Sequence, residues 1–220
     1  SGPSHPEGNS PAPIGGGKTL RTDCLPLLAD PLPANGIASV RYDKRGVAAS
    51  ASAMAGLQES DYRFDMGGDD AAAWIRMLRA DPRFSKVVIV GHSEGSLVGM
   101  VAATRATADG FVSLEGAGRK AADVIREQLL AGGVPAAMFT SILDSLSAGK
   151  LVENTPPALA WLFRASVQPN MTAWYSYDPA AELKDLPEAT PAGQDTHVYQ
   201  TSLSDAVLPP LDMHAKLHPI

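Results

Sequence analysis

The sequence predicts an α/β domain in which a mostly parallel sheet is flanked by helices and carries a helical insertion. Residues 87–90 are a short continuous apolar run, which predicts a strand buried on both faces of a parallel sheet. Residues 111–114 should form the next strand, and a helical pattern separates the two. The connection from the first run to that helix is Gly91, His92, Ser93, Glu94 and Gly95, a G-x-S-x-G pattern. The order strand, helix, strand indicates βαβ units and therefore parallel pairing.

The composition indicates one domain and excludes several classes of partner. The chain has 220 residues, of which 45% are hydrophobic, so a sizeable core can form without disulfides. A formal net charge of −6 offers no basic footprint for nucleic acid or for an anionic membrane. Cys24 is the only cysteine, which excludes an intrachain disulfide and a cysteine-based metal site. We expect no metal and no organic cofactor. No apolar run reaches the roughly 20 residues that span a bilayer, and no pattern indicates a compartment or an oligomeric state.

Three further elements are predicted before residue 87. Residues 20–32 have helical spacing, and two prolines should end that helix near Asp30, because proline fits poorly inside a helix. Residues 37–42 should form a strand. Residues 69–79 should form a helix that begins at two aspartates and ends before Asp81-Pro82. Its buried stripe is predicted to consist of Trp74, Met77 and Leu78.

The segment 119–177 differs from the rest of the chain. Its apolar residues recur at helical spacing, it contains several aromatic side chains, and no strand pattern interrupts it. We therefore predict a helical cap at 119–177, inserted between residues 1–118 and 178–220 of the α/β core.

The G-x-S-x-G pattern lies in the context that a nucleophile elbow requires. It directly follows a predicted strand and directly precedes a predicted helix. Gly91 and Gly95 lack the Cβ atoms that would clash in so sharp a turn. The Ser93 hydroxyl would then lie at the carboxyl edge of the sheet, and the backbone N–H of Glu94 would be one donor of an oxyanion hole.

Residues 87–102 (VVIVGHSEGSLVGMVA) and 37–50 (IASVRYDKRGVAAS) resemble bacterial α/β-hydrolases of the serine aminopeptidase and dienelactone hydrolase branches. The second stretch resembles the D-x-R-G-x-G-x-S segment of that family, with Ala48 where glycine is usual. The opening residues resemble the loop after the third strand of the family, which implies that Ser1 or Gly2 supplies the second oxyanion N–H. The resemblance also implies an α/β-hydrolase fold whose first strands precede Ser1.

The same resemblance implies a catalytic acid after the seventh strand. Gly193 to Val198 resembles the family's G-x-x-D-x-x-V turn, in which the aspartate corresponds to Asp195. Glu115, directly after the run 111–114, is the alternative acid, because some members of the fold carry it there. Asp205 is a third candidate.

The catalytic histidine is expected beyond the printed sequence. Residues 215–220 resemble the start of the family's eighth strand, and the family histidine follows that strand. A rival alignment makes His214 the base. His214 and His218 are spaced four apart, as two metal ligands on a helix would be, but no third ligand accompanies them.

These patterns predict a serine hydrolase that acts through a Ser-His-Asp acyl-enzyme mechanism. The apolar, aromatic cap favours a small-molecule carboxylic ester with a short or medium acyl chain. An aminopeptidase-like amide hydrolase, with Glu94 or Glu115 holding the substrate ammonium group, is the alternative enzyme. A non-catalytic ligand-binding protein of the same fold is the alternative of another class.

Overall fold

The computed structural model describes residues 12–13, 19–20, 24–186 and 198–201. The chain divides into two compact units, Ser1–Leu57 and Gln58–Ile220, and each is described by itself.

The first unit contains little regular structure among its described residues. Strands β1 (Ala12–Pro13) and β2 (Thr19–Leu20) pair antiparallel, and helix α1 covers Cys24–Ala29, so the predicted end near Asp30 is confirmed. Short 3-10 helices cover Pro33–Asn35 and Ala48–Met54. Ala48 has a φ of 42°, in the left-handed region that favours glycine, at the position where the resembled family usually has glycine.

The strand predicted at residues 37–42 is wrong. This segment takes no regular secondary structure, and Ile37 and Val40 are 51% and 45% exposed. A strand forms only when a neighbour accepts its backbone hydrogen bonds, and among the described residues no strand pairs with this segment. β-branched composition alone could not supply that neighbour.

The second unit contains a small parallel sheet, and the predicted parallel pairing is confirmed. Strands β3 (Val88–His92), β4 (Gly110–Leu114) and β5 (Val198–Thr201) lie in the order β3-β4-β5, and both pairs are parallel. Helix α3 (Glu94–Arg105) connects β3 to β4. The prediction that residues 87–90 are buried on both faces is wrong, because Val88 and Val90 are 53% and 52% exposed.

Helix α2 (Phe64–Arg79) packs against α3, and its predicted stripe is correct only in part, because Leu78 packs against the core and Met77 does not. It begins five residues before Asp69, and it ends before Asp81 as expected. Its buried residues are Phe64, Gly68, Ala72 and Ile75, whereas Met77 is 54% exposed. A Cβ on Gly68 would lie 2.7 Å from Val101 Cγ1. The two helices approach so closely that small residues form the contact, which a search for large apolar side chains does not detect.

The segment 119–177 is helical and contains no strand, as predicted. The helices are α4 (Ala121–Ala131), α5 (Thr140–Ser147), α6 (Ala160–Phe163) and α7 (Gln168–Tyr175), with 3-10 turns at Ala136–Met138 and Pro157–Leu159. They share a core of their own that includes Leu143, Leu146 and Phe163. The side-chain amide of Gln168 is buried in this core with its hydrogen bonds satisfied. It accepts from the N–H of Val152 and donates to the carbonyl oxygens of Val152 and Phe163. Helix α8 (Pro179–Lys184) follows, capped by the Asp178 carboxylate.

Two polar clusters and one aromatic pair join this helical segment to the region around α2. The Trp174 ring stacks on Phe64, with centroids 6.1 Å apart and planes inclined by 11°. Tyr177 donates a hydrogen bond to Asp65, and Arg105 binds the same carboxylate. Arg164 and Ser166 bind Glu59, which begins the 3-10 turn Glu59–Asp61. The connection is therefore both apolar and ionic.

The ionic contacts shift the acidity of both carboxylates. Hydrogen bonds from Arg164 and Ser166 lower the pKa of Glu59. Burial raises the pKa of Asp65, but the hydrogen bonds from Tyr177 and Arg105 outweigh burial and leave that pKa below its usual value. Burial and the bond to Asp65 raise the pKa of Tyr177 to about 12. Within the described ranges, no helix combines the length and apolarity that crossing a membrane requires.

Candidate active site

Ser93 occupies the turn between β3 and α3, in the strand–turn–helix arrangement that the sequence predicts. Its backbone has φ 55° and ψ −124°, outside the regions that non-glycine residues ordinarily adopt. Such strain costs about 1–3 kcal/mol and persists only where the surrounding structure holds it, most often at functional sites. Ser93 is exposed, so its hydroxyl is accessible from solvent.

The turn is tight because the chain folds back onto Gly91. A Cβ built on Gly91 would overlap the carbonyl oxygen of Gly95 and would lie 2.6 Å from the Cα of Ser96. No side chain fits at that position. The first glycine of the pattern is therefore required by close backbone contact, as the sequence predicts.

Two backbone hydrogen bonds hold the turn. The N–H of Ser93 donates to the carbonyl oxygen of Leu114 at 2.9 Å, which ties the serine to the end of β4. The N–H of Ser96 donates to the carbonyl oxygen of Ser93 at 2.9 Å and begins the helix. Because β3 and β4 are parallel, with His92 opposite Leu114, the turn lies at the carboxyl edge of the sheet.

Glu94 is the first residue of α3, so its backbone N–H belongs to the positive end of that helix. A donor of an oxyanion hole is expected at this end of the helix, directly after the nucleophile, which is the position predicted for Glu94. Ser1 and Gly2, the candidates for the second donor, are outside the described residues, and the convergence of the two donors stays a prediction.

Glu115, the alternative acid, lies at the same edge of the sheet. It follows β4 with a φ of 52°, a second strained non-glycine residue beside the turn. Its Oε2 is 3.4 Å from Nε2 of His92, the residue that precedes Ser93. When His92 is protonated, its Nε2–H can donate a charge-assisted hydrogen bond to the Glu115 carboxylate. The structure thus brings Ser93, Glu94 and Glu115 to one edge, with the Glu115 carboxylate turned towards His92.

The other predicted participants cannot be compared with this geometry. Asp195, Asp205, His214 and His218 all lie outside the described residues, so the triad stays a prediction. Among the residues that the structure does describe, no group of three or more His, Cys, Asp or Glu side chains is arranged to hold a metal ion.

Sequence reasoning missed a pair of buried hydroxyl groups beneath the turn. The Oγ atoms of Ser96 and Ser113 are 2.7 Å apart, and the two residues are 1% and 3% exposed. The available signal was a polar residue within the apolar run 111–114, combined with a serine three positions after Ser93. Neither residue is informative without the other, and only the fold places them together.

The chain matches the model of one protein family. The model described as "Serine aminopeptidase, S33" matches residues 21–180, which is more than half of the chain and includes the turn at Ser93. No curated protein matches the sequence.

Proposed function

The chain belongs to the serine aminopeptidase family S33, which has the α/β-hydrolase fold, and from that premise we propose that it hydrolyses carboxylic esters through an acyl-enzyme on Ser93. The observation that carries the proposal is the backbone of Ser93. A non-glycine residue with φ 55° and ψ −124°, between a parallel strand and a helix, is the strained turn that presents a nucleophile. Its exposure leaves the hydroxyl open to a substrate.

In the proposed reaction, Ser93 Oγ attacks the carbonyl carbon of the ester while a histidine takes the hydroxyl proton. The oxyanion is stabilised by the N–H of Glu94 and by a second N–H from Ser1 or Gly2. The histidine then gives its proton to the departing alcohol, and the acyl group remains on Ser93. Water, deprotonated by the same histidine, releases the carboxylic acid and restores the serine. Asp195 is the proposed partner of the histidine.

The helical segment 119–177 is proposed to be a cap over Ser93 that selects the acyl chain. Its support is a separate core, the absence of strands within these described residues, and the stacking of Trp174 on Phe64 at the start of α2. Trp161 is 68% exposed on this segment, an unusual position for a large apolar ring. An apolar cap favours an acyl chain over a charged peptide, and this supports an ester substrate.

An aminopeptidase-like amide hydrolase is the second candidate, and Glu115 favours it. Its exposed carboxylate lies at the edge of the sheet that carries Ser93, where it could hold the ammonium group of a substrate. The name of the matching family agrees with that chemistry.

The test uses a fluorophosphonate probe together with two substrate classes. Wild-type protein should react covalently at Ser93 and should hydrolyse p-nitrophenyl butyrate faster than an aminoacyl p-nitroanilide. Ser93→Ala should lose probe labelling and lower the turnover rate roughly a million-fold, as loss of a triad serine can. Ser85→Ala is the matched control, because Ser85 is an exposed serine before β3, outside the turn.

Each result has a defined meaning. Labelling of Ser93→Ala at the wild-type rate would exclude Ser93 as the nucleophile. Faster cleavage of the anilide than of the ester would favour the amide hydrolase. A wild-type protein that neither reacts with the probe nor turns over either substrate would support a non-catalytic binding protein.

A further inference from the structure

The hydrogen bond between Ser96 and Ser113 joins the first turn of α3 to the middle strand of the described sheet. Both hydroxyl groups are buried, and their Oγ atoms are 2.7 Å apart. Neither residue is exposed to solvent, so neither can touch a substrate at Ser93. Any role of this pair in catalysis must therefore act through the position of the turn.

The register of the strands explains why the two hydroxyl groups meet. Ser113 lies directly opposite Gly91 in the parallel pair of β3 and β4. Residues opposite each other in adjacent strands share one face of the sheet. The Cβ that Gly91 lacks would point at the Cα of Ser96, 2.6 Å away. Ser113 therefore faces α3 at its first turn, where the helix backbone lies close against the sheet.

The chain after β4 encloses the pair from another side. A Cβ built on Gly116 would lie 2.5 Å from Ser113 Oγ and 2.5 Å from Ser96 Cβ. Gly116 is itself buried. Glycine at positions 91 and 116 thus lets two backbone segments close around the hydroxyl groups.

The pair is coupled to Ser93 through adjacent residues. The N–H of Ser96 donates to the carbonyl of Ser93, and the N–H of Ser93 donates to the carbonyl of Leu114, the neighbour of Ser113. The turn is consequently tied to β4 twice, once by the backbone of Ser93 and once by the hydroxyl of Ser96. A strained conformation such as that of Ser93 requires this kind of redundant support.

We propose that the Ser96–Ser113 pair is a positioning device that holds the nucleophile turn against β4. The proposal rests on Ser93 being the nucleophile. Removing either hydroxyl leaves the other buried without its partner, and the turn then shifts to relieve that cost. A displacement of about 1 Å at a reacting group can lower a rate about a hundredfold.

The experiment measures the second-order rate constant of fluorophosphonate labelling, together with kcat and KM for p-nitrophenyl butyrate. The variants are Ser96→Ala, Ser113→Ala and the double variant, with Ser85→Ala as the control. Each alanine should lower the labelling rate constant and kcat by roughly ten- to a hundredfold in folded protein, with little change in KM. The double variant should be no slower than the slower single variant, because the two residues act as one unit.

Unchanged labelling by folded single variants would overturn the proposal, as would a change confined to KM or single effects that multiply in the double variant. If the alanine variants do not fold, Ser113→Cys decides, because it replaces the hydroxyl oxygen by one larger sulfur atom and leaves only a weak donor. Slower labelling of folded Ser113→Cys supports the pair, and the wild-type rate overturns it. The proposed function is judged separately, since it is tested on wild-type protein and Ser93→Ala, whereas the role of the pair is tested on Ser96 and Ser113 variants of a protein that is labelled at Ser93.

Discussion

Gly91 and Ser96 lie in direct backbone contact across the turn that carries Ser93. A Cβ on Gly91 would be 2.6 Å from the Cα of Ser96, a distance that real Cβ atoms do not adopt. The start of the helix therefore lies so close to the strand that only glycine fits at position 91, and a methyl group there would force the two backbones apart.

Gly91→Ala should destabilise the protein by about 1–3 kcal/mol or more, because the backbone of α3 would have to move away from β3. Gly67→Ala is the matched control in α2, where an added Cβ would find ordinary contacts at 3.6 Å and 3.7 Å. That change should stabilise the protein by up to about 1 kcal/mol, since alanine favours a helix. Urea unfolding measures the free energy of unfolding of both variants. Equal free energies of unfolding for Gly91→Ala and wild type would contradict the close contact.

Trp174 and Trp161 should respond differently to replacement by alanine. Trp174 packs against the core of the helical segment and against the core around α3. We expect Trp174→Ala to lower the free energy of unfolding by about 2–4 kcal/mol. Trp161 is 68% exposed, and its loss should change stability by less than about 0.5 kcal/mol.

Trp161→Ala is therefore the better variant for testing the cap. If the segment covers Ser93, the ratio of kcat/KM for p-nitrophenyl octanoate to that for the acetate should fall by up to about tenfold. An unchanged ratio would count against a role of Trp161 in selecting the acyl chain.

Asp195 and Glu115 can be distinguished as catalytic acids by removing one charge at a time. Asp195→Asn should lower kcat about ten-thousandfold, as in triads whose aspartate is made neutral. Glu115→Gln should have a much smaller effect, because the Glu115 carboxylate is turned towards His92, 3.4 Å from its Nε2. Steady-state kinetics with p-nitrophenyl butyrate give kcat for both variants. The reverse order of effects would make Glu115 the acid.

His214→Ala belongs to the same series. We expect it to retain the wild-type rate of ester cleavage, because residues 215–220 resemble the start of a strand and the family histidine follows that strand. A loss of activity comparable to that of Ser93→Ala would instead identify His214 as the base.

Asp65 should make stability depend on pH in acid. Hydrogen bonds from Tyr177 and Arg105 outweigh burial and hold the folded pKa of Asp65 below 3.8. A lowered folded pKa contributes stability that is present above the unfolded pKa and is lost as pH falls through the folded one. The difference in free energy of unfolding between wild type and Asp65→Asn should therefore shrink below about pH 4.

Urea unfolding at intervals from pH 6 to pH 2 checks this expectation. Tyr177→Phe removes the hydroxyl that donates to Asp65 and accepts from Arg105, and it leaves the bond from Arg105 to Asp65, so it should reproduce part of the effect at neutral pH. A wild-type minus Asp65→Asn difference that is constant across the range would show that Asp65 does not titrate differently in the folded protein.

The elements that could be predicted from the sequence are those determined by neighbouring residues. The run 87–90, the glycines around Ser93 and the helical pattern that follows lie within one short stretch, and each restricts the backbone locally. The strand at β4 and the helices of residues 119–177 were likewise recognisable, because periodicity along the chain reflects which side of an element is buried.

Tertiary structure alone decided the features that depend on distant partners. Residues 37–42 have strand-like composition, but a strand needs a hydrogen-bonding neighbour, and composition does not supply one. The buried face of α2 follows from the close approach of α3, so Gly68 and Ala72 matter more than Met77. Ser96 and Ser113 meet only because β3 and β4 pair in one register. Local chemistry therefore predicted where the candidate nucleophile lies, whereas long-range packing decided what supports it.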